Sequence, residues 1–256
     1  MNNVRTVSDT KRAFYGAHTR PISALYRRVV EELMVEMHLL LVNVNFSYDP
    51  IYALGVVSVF DRFMEGYQPE KDRQSIYDAI IRAVEGDPAQ YRRDAESALA
   101  AAKEIPSIEA FKSLLEESKN GGGSVLKDTF HKVSSDDKFK YSRLFVTGLY
   151  NIINAIDESV LADKEKREAL LTQAAETLGF GSELMIKDVE LYRSNLEKMA
   201  QAQEVMKDMI EAEKKKQAQR EKDKAERAAK KEAEAKAAAD KADGEPADSA
   251  SSSSPE

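Results

Sequence analysis

Apolar residues in this chain recur at steps of three and four and nowhere settle into alternation. From residue 22 they run Ile22, Leu25, Tyr26, Val29, Val30, Leu33, Met37, Leu40, Leu41 and Val44, the period that gathers side chains on one face of an α-helix. Beyond Leu33 this segment is apolar on most sides, which predicts a helix central to a core. No stretch pairs period-two alternation with hairpin turns. The fold class expected is therefore all-α: a multi-helix globular domain, then a long C-terminal helix or short coiled coil, then a disordered tail.

Cap and breaker residues divide the chain further. Thr6 and Ser8 are candidate N-caps for a short helix reaching Ala17, and Pro21 suits the first turn of the next helix, where its missing N–H is no loss. Asp49-Pro50 opens a helix to about Glu65, with Gly66 free to take the left-handed geometry that ends it. Pro69 starts another that ends at Gly86, and Asp87-Pro88 repeats the start signal for a segment to Lys103. Pro106 and Ser107 precede a helix through Ser118, and residues 120–124 form a glycine-rich break. A short helix over 125–133 follows. Ser134 with Asp137 resembles a capping box for a helix to Ile156, and Asp163 caps another that Gly179-Phe180 closes. Leu33, Met37, Leu40, Leu41, Val56, Val57 and Phe60 are the expected core of the two most apolar helices.

Ser182 opens the last helix. Val189, Leu196, Gln203 and Ile210 lie seven apart, with Tyr192, Met199 and Met206 three residues after the first three of them. This is a short heptad seam with a polar Gln203 in it. From 211 to 240 only Ala and Gln interrupt the charges, so that part has nothing large to bury. The expected division is a globular domain over 1–182, the long helix over 183–240, and a disordered tail over 241–256, which is too polar to fold alone.

Composition excludes several functions. There is no cysteine, which removes disulfides, thiolate catalysis and thiolate metal ligands. The net charge of −7 gives little general attraction to nucleic acid, whose binding rests on neutralising phosphates, and Lys214-Lys215-Lys216 is interleaved with Glu and lacks aromatics for base stacking. No nucleic-acid partner is expected. The N-terminus has no apolar h-region and so no secretory signal. The apolar stretches 39–42 and 51–60 fall short of the ~20 residues a spanning helix needs, so any membrane association is expected to be peripheral.

The three histidines, His18, His38 and His131, lack metal-ligand spacing. Asp128 with His131 is one i, i+3 pair where a carboxylate-bridged site needs two and further Glu. Gly121-Gly122-Gly123-Ser124 has no lysine after its last glycine and no strand before it, unlike a P-loop. Neither a metal nor a cofactor is expected. Arg28, Glu32 and Glu36, and Arg27 with Glu31, are spaced for local ion pairs. Because their helix is so apolar, Glu36 and Glu32 are expected to meet Arg or Tyr from a neighbour.

Longer words in the N-terminal third add a resemblance. Thr6-Val7-Ser8-Asp9-Thr10-Lys11-Arg12-Ala13-Phe14-Tyr15, His18-Thr19-Arg20-Pro21-Ile22 and Tyr26-Arg27-Arg28-Val29-Val30-Glu31-Glu32-Leu33 are followed by Phe46-Ser47-Tyr48-Asp49-Pro50 and Phe63-Met64-Glu65-Gly66-Tyr67. Together they resemble the thylakoid-formation protein family, also described as photosystem II biogenesis proteins of cyanobacteria and chloroplasts. The likeness covers roughly 5–85, and Phe139-Lys140-Tyr141-Ser142-Arg143-Leu144-Phe145 adds a shorter match.

The resemblance implies an all-helical, non-enzymatic factor at thylakoid membranes that supports photosystem II assembly and repair. The partner it implies is a membrane-bound FtsH-type protease, with photosystem II components as further partners, and it brings no catalytic residues. The missing transit peptide points to a cyanobacterial protein on the cytoplasmic side of the membrane, or to a mature, stromal chloroplast form. Within the family-like segment, Arg5, Asp9, Lys11, Arg12, Tyr15, His18, Arg20 and Asp49 are the candidate protein-binding residues, since interface anchors are enriched in Tyr and Arg. Two rivals remain: a small-molecule binder or enzyme with a pocket near Arg12, Tyr15, His18, Tyr48 and Asp49, and a coiled-coil scaffold acting through the tail.

Overall fold

Side-chain caps set where most helices of this chain begin. In the computed structural model, which describes residues 5–120 and 122–242, Asp49, Asp87, Ser107, Ser124, Ser142 and Asp163 each accept a hydrogen bond from a backbone N–H in the first turn they precede, satisfying donors that a helix start leaves unpaired. Among the described residues there are eleven α-helices and no strand. They are α1 (Val7–Ala17), α2 (Ala24–Leu41), α3 (Pro50–Phe63), α4 (Glu70–Ala83), α5 (Pro88–Lys103), α6 (Ile108–Glu117), α7 (Val125–Ser135), α8 (Arg143–Ile156), α9 (Glu158–Ala162), α10 (Lys164–Leu178) and α11 (Ser182–Ala242). A 3₁₀ turn, Ser118–Asn120, follows α6.

The centre is α3, which packs on α8 and α5 and also meets α2 and α7. Every α3 residue from Ile51 to Val57 is buried, as is Phe60. Two glycines let α3 and α8 come this close. A Cβ on Gly55 would sit 1.7 Å from the Leu144 carbonyl oxygen, and one on Gly148 would sit 1.9 Å from that of Ile51. At such separations only hydrogens fit between the backbones, and Cα–H groups face carbonyls directly.

Of the seven residues expected to form the core of α2 and α3, six are buried. Leu41 is 37% exposed, because it is the last residue of α2, where the chain leaves the core; Leu40 and Met37 occupy the inward positions. Val44 is not helical at all and is 96% exposed. Pro21 does not open α2. Ile22 is buried in non-helical backbone and the helix starts after Ser23. Ser134 is not a cap either: it lies within α7, and α8 begins after Ser142. The segment between stays non-helical and brings Phe139 and Tyr141 against Phe180 at ring separations of 5.9 and 5.2 Å, a contact worth more than continuing a polar helix. Helix α9 has no counterpart in the reading of periodicity, being a single capped turn after Asp157.

By contact the chain forms two units, Met1–Gln201 and Ala202–Glu256. The first includes the start of α11, whose Met185, Val189, Tyr192 and Met199 are buried. Arg167 of α10 is buried as well, donates to Glu190 of α11 and to the Leu161 carbonyl, and so has a partner for each of its buried faces. In the second unit α11 is described through Ala242. Of the disordered tail expected over 241–256, residues 241 and 242 belong to α11 instead, and the rest, like Gly121 of the glycine-rich break, lies outside the described residues.

Candidate protein-binding surface

Helix α1 is fastened at its start by a capping box. The Thr6 hydroxyl accepts from the Asp9 N–H at 3.2 Å, and the Asp9 carboxylate accepts from the Thr6 N–H at 3.1 Å. The Thr6 hydroxyl also donates to the Asp9 carboxylate at 2.7 Å, and this bond first, then that from the Thr6 N–H, holds the Asp9 carboxyl below its usual pKa. One face of α1 buries Thr10 and Phe14 against α4 and α2. At the helix end His18 is buried too. Two histidines brace this packing: His38 of α2 meets the Thr10 hydroxyl at 2.8 Å, and His18 meets the Ser75 hydroxyl of α4 at 3.0 Å. Burial lowers the pKa of both rings, Arg20 adding to the effect at His18 and Arg5 at His38. They are neutral near pH 7.

The candidate residues divide by role. Arg5 pairs with Glu85, and Arg20 with the buried Asp72 at 2.7 Å, both tying the N-terminal segment to the region of α4. Lys11 and Tyr15 converge on Glu31 of α2, at 3.1 and 2.9 Å. Burial and this bond raise the Tyr15 hydroxyl pKa. Arg12, whose side chain is 81% exposed, pairs among the described residues with the neighbouring Asp9 at 3.3 Å. On the outer side of α1, Ser8, Arg12 and Tyr15 form one exposed stripe at steps of four and three. The structure thus brings Lys11, Arg12 and Tyr15 to one presented face, takes His18 into the interior, and uses Arg5, Asp9 and Arg20 largely within the fold.

Asp49 stands apart from these. It is buried, and one carboxylate oxygen accepts from the Tyr52 N–H at 2.8 Å as the cap of α3. Burial pushes its carboxyl up to about 6 against the opposing pull of the capping bonds and Lys132. Asp49 and Tyr48 line a depression of about 260 Å³ with Pro50, Val125, Asp128, Thr129 and Lys132, smaller than the ~300–1,000 Å³ typical of ligand pockets. Arg12, Tyr15 and His18 are not among its walls.

Other polar groups singled out in the sequence have separate partners. The His131 ring meets the Ser118 carbonyl at 3.0 Å, whereas Asp128 accepts from the Gly122 N–H at 2.8 Å. Glu36 accepts from Arg143 of α8 at 3.0 Å, the neighbouring arginine expected for it; burial raises its pKa while Arg143 opposes that rise. Glu32 instead pairs within its own helix, with Arg28 at 2.7 Å. Two tyrosine–carboxylate bonds escaped the sequence reading, Tyr48 to Asp94 and Tyr141 to Asp188, each 2.7 Å. Their sequence separations of 46 and 47 leave no local signal.

Comparison with known proteins places this geometry. The chain is 51% identical over 218 residues to Protein Thf1 of Crocosphaera subtropica, covering 85% of this chain and 89% of that one. It is 50% identical over 220 residues to Protein Thf1 of Nostoc punctiforme, covering 86% and 94%. A solved structure of Psb29 superposes with a TM-score of 0.73 at 44% identity, covering 84% of this chain and 99% of that one. The family model for thylakoid formation protein matches residues 6–221, from the cap of α1 well into α11, and the chain belongs to that family.

Proposed function

We propose that this protein is a non-enzymatic auxiliary factor that binds an FtsH-type thylakoid protease, supports its accumulation, and so serves photosystem II biogenesis and repair. The observation that carries the reading is the family match over 6–221, joined to the role that the resemblance implies. The outer stripe of α1 is the proposed contact. Arg12 and Tyr15 are presented there on a helix held in place by its cap, by Phe14 and by His38, so binding would order little that is not already ordered. Among the described residues no helix is long and apolar enough to cross a membrane, and the proposed association is peripheral, on the cytoplasmic or stromal side.

The test is protease abundance in thylakoid membranes of cells that lack this protein and carry either wild type or Arg12→Glu/Tyr15→Ala. Wild type restores the protease and the double variant, present at equal level, does not. Equal restoration by both rejects the α1 surface. A second reading has its own observation: Ile210, the last a-type position of the heptad seam, is exposed in the second unit, with Met209 exposed beside it, as the end of a coiled-coil seam awaiting a partner would be. If Met209→Lys/Ile210→Lys abolishes restoration while the α1 variant does not, the contact is that seam.

A further inference from the structure

Helix α1 is held to the fold by few apolar side chains. Of its 11 residues only Thr10 and Phe14 are buried, whereas α3 is buried almost throughout. The buried polar contacts that close α1 on its neighbours are each made by a histidine. His38, in the last turn of α2 and 3% exposed, meets the Thr10 hydroxyl of α1 at 2.8 Å. His18, which ends α1 and is 1% exposed, meets the Ser75 hydroxyl of α4 at 3.0 Å. Its Nε2 is buried without a hydrogen-bond partner, and the Phe14 ring lies beside it at 6.2 Å.

A neutral imidazole has one N–H and one lone pair. His18 can give its Nδ1–H to Ser75 and leave only a lone pair at Nε2. Protonation would place a second N–H, with a charge, where nothing accepts it. The charged groups facing His18 are Arg20 and Asp72, and they pair with each other at 2.7 Å. Those facing His38 are Arg5 and Asp9. Arg5 pairs with Glu85, and the Asp9 carboxylate is occupied by Thr6. Neither ring therefore has a free carboxylate at hand to receive its proton charge. The remaining polar tie of α1 to α2 runs through Glu31, whose carboxyl Lys11 and then Tyr15 hold below its usual pKa. That tie persists where histidines titrate.

We propose that α1 is an acid-released latch: protonation of the buried His18 and His38 frees the helix from α2 and α4, and with it the Arg12–Tyr15 stripe, while α3 and α8 stay folded. The release itself does not rest on the protease reading; its effect on partner binding does. With α1 open, the rings take up protons near their ordinary pKa of 6.5, and with α1 closed only at lower pH. The closed form keeps its full advantage above 6.5 and loses it as pH falls through the folded values. Between the two, the open fraction rises by up to about tenfold per pH unit for each ring.

The test is hydrogen–deuterium exchange of the full chain from about pH 7.5 to about 5, a range that spans histidine titration, with rates corrected for the pH dependence of exchange chemistry. Peptides covering 7–17 should lose protection by about tenfold or more as pH falls, and those covering 51–60 should not. His18→Gln/His38→Gln keeps a hydrogen-bonding side chain at each site and has no ring to protonate, so its 7–17 exchange should not follow pH. If that variant does not fold, proton NMR of the two wild-type rings replaces it, and their protonation should coincide with the loss of 7–17 protection. Steady protection of 7–17 in wild type overturns the proposal. So does the same fall in the folded variant, ring titrations that do not track it, or a fall shared by 51–60, which is global acid unfolding. Release of 7–17 with unchanged recovery of the protease at the same pH rejects the stripe as the contact and leaves the latch standing.

Discussion

Replacing Gly55 by alanine should be among the most damaging single changes in this protein. The new Cβ would lie 1.7 Å from the Leu144 carbonyl oxygen, and real Cβ atoms essentially never come within 3.0 Å of another heavy atom. The obstacle is helix backbone, so no side chain can swing aside. Helices α3 and α8 must separate by about 1.3 Å, and a gap of ~0.5–1 Å already forfeits a quarter to a half of each dispersion contact across an interface. Because α3 is buried nearly all round, the loss should reach at least about 3 kcal/mol. Gly148→Ala meets the Ile51 carbonyl at 1.9 Å and should behave alike. Both clashes drive the same two helices apart, so the double variant should cost less than the sum of the singles. Gly16→Ala is the control: its Cβ enters open space in α1, and alanine there should stabilise by about 0.5–1 kcal/mol. Urea unfolding followed by circular dichroism measures all four. A loss below about 1 kcal/mol for Gly55→Ala, or singles that simply add, would refute the close-contact argument.

Further expectations follow from single residues. Leu40→Ala should lose about 2–5 kcal/mol in urea unfolding, as its side chain is buried in the α2 core. The Asp49 carboxyl, raised in the folded protein to about 6 from 3.8, favours the folded state when protonated. Its contribution is fully present below pH 3.8 and is lost as pH rises through 6, by about 3 kcal/mol. Asn caps a helix as well as Asp, so Asp49→Asn should be more stable than wild type at pH 7 and lack that slope in urea titrations between pH 4 and 6. His18 and His38 have lowered folded pKa values; their contribution is present above 6.5 and is lost as pH falls through the folded values, and His38→Gln should lessen that acid sensitivity in the thermal midpoint. Deleting 211–256 should leave the thermal midpoint of the remainder nearly unchanged, because that segment has no large apolar residue to bury.

The elements readable from sequence were those with a local cause. Asp49-Pro50, Asp87-Pro88, Ser107, Asp163 and Gly179 act within one turn, and each stands at the boundary the sequence suggests. The α8 start also has a local cap, Ser142, but it was hidden because what keeps the preceding residues out of a helix is distant: Phe139 and Tyr141 pack on Phe180, about 40 residues on. Gly55 and Gly148 read as ordinary helix glycines until the facing backbone is known. The candidate surface was half legible. Residue type picked out Arg12 and Tyr15, which α1 does present, but it also picked out His18 and Asp49, which tertiary packing buries. Val44 carried the opposite error: its helical spacing from Leu40 suggested the core, but α2 ends first, and the turn through Asn43 and Asn45 leaves it in solvent.

Recovery of the protease by the purified chain tests the central claim most directly. The full-length protein is immobilised, incubated with detergent-solubilised thylakoid membranes, and the retained proteins are quantified by mass spectrometry beside an unrelated helical protein of equal charge. The account predicts that an FtsH-type protease is enriched over the control, and that Arg12→Glu/Tyr15→Ala, with unchanged helicity and melting, reduces that enrichment at least tenfold, the loss expected for about 1.4 kcal/mol or more at an anchor. Recovery of the protease no greater than the control would contradict it.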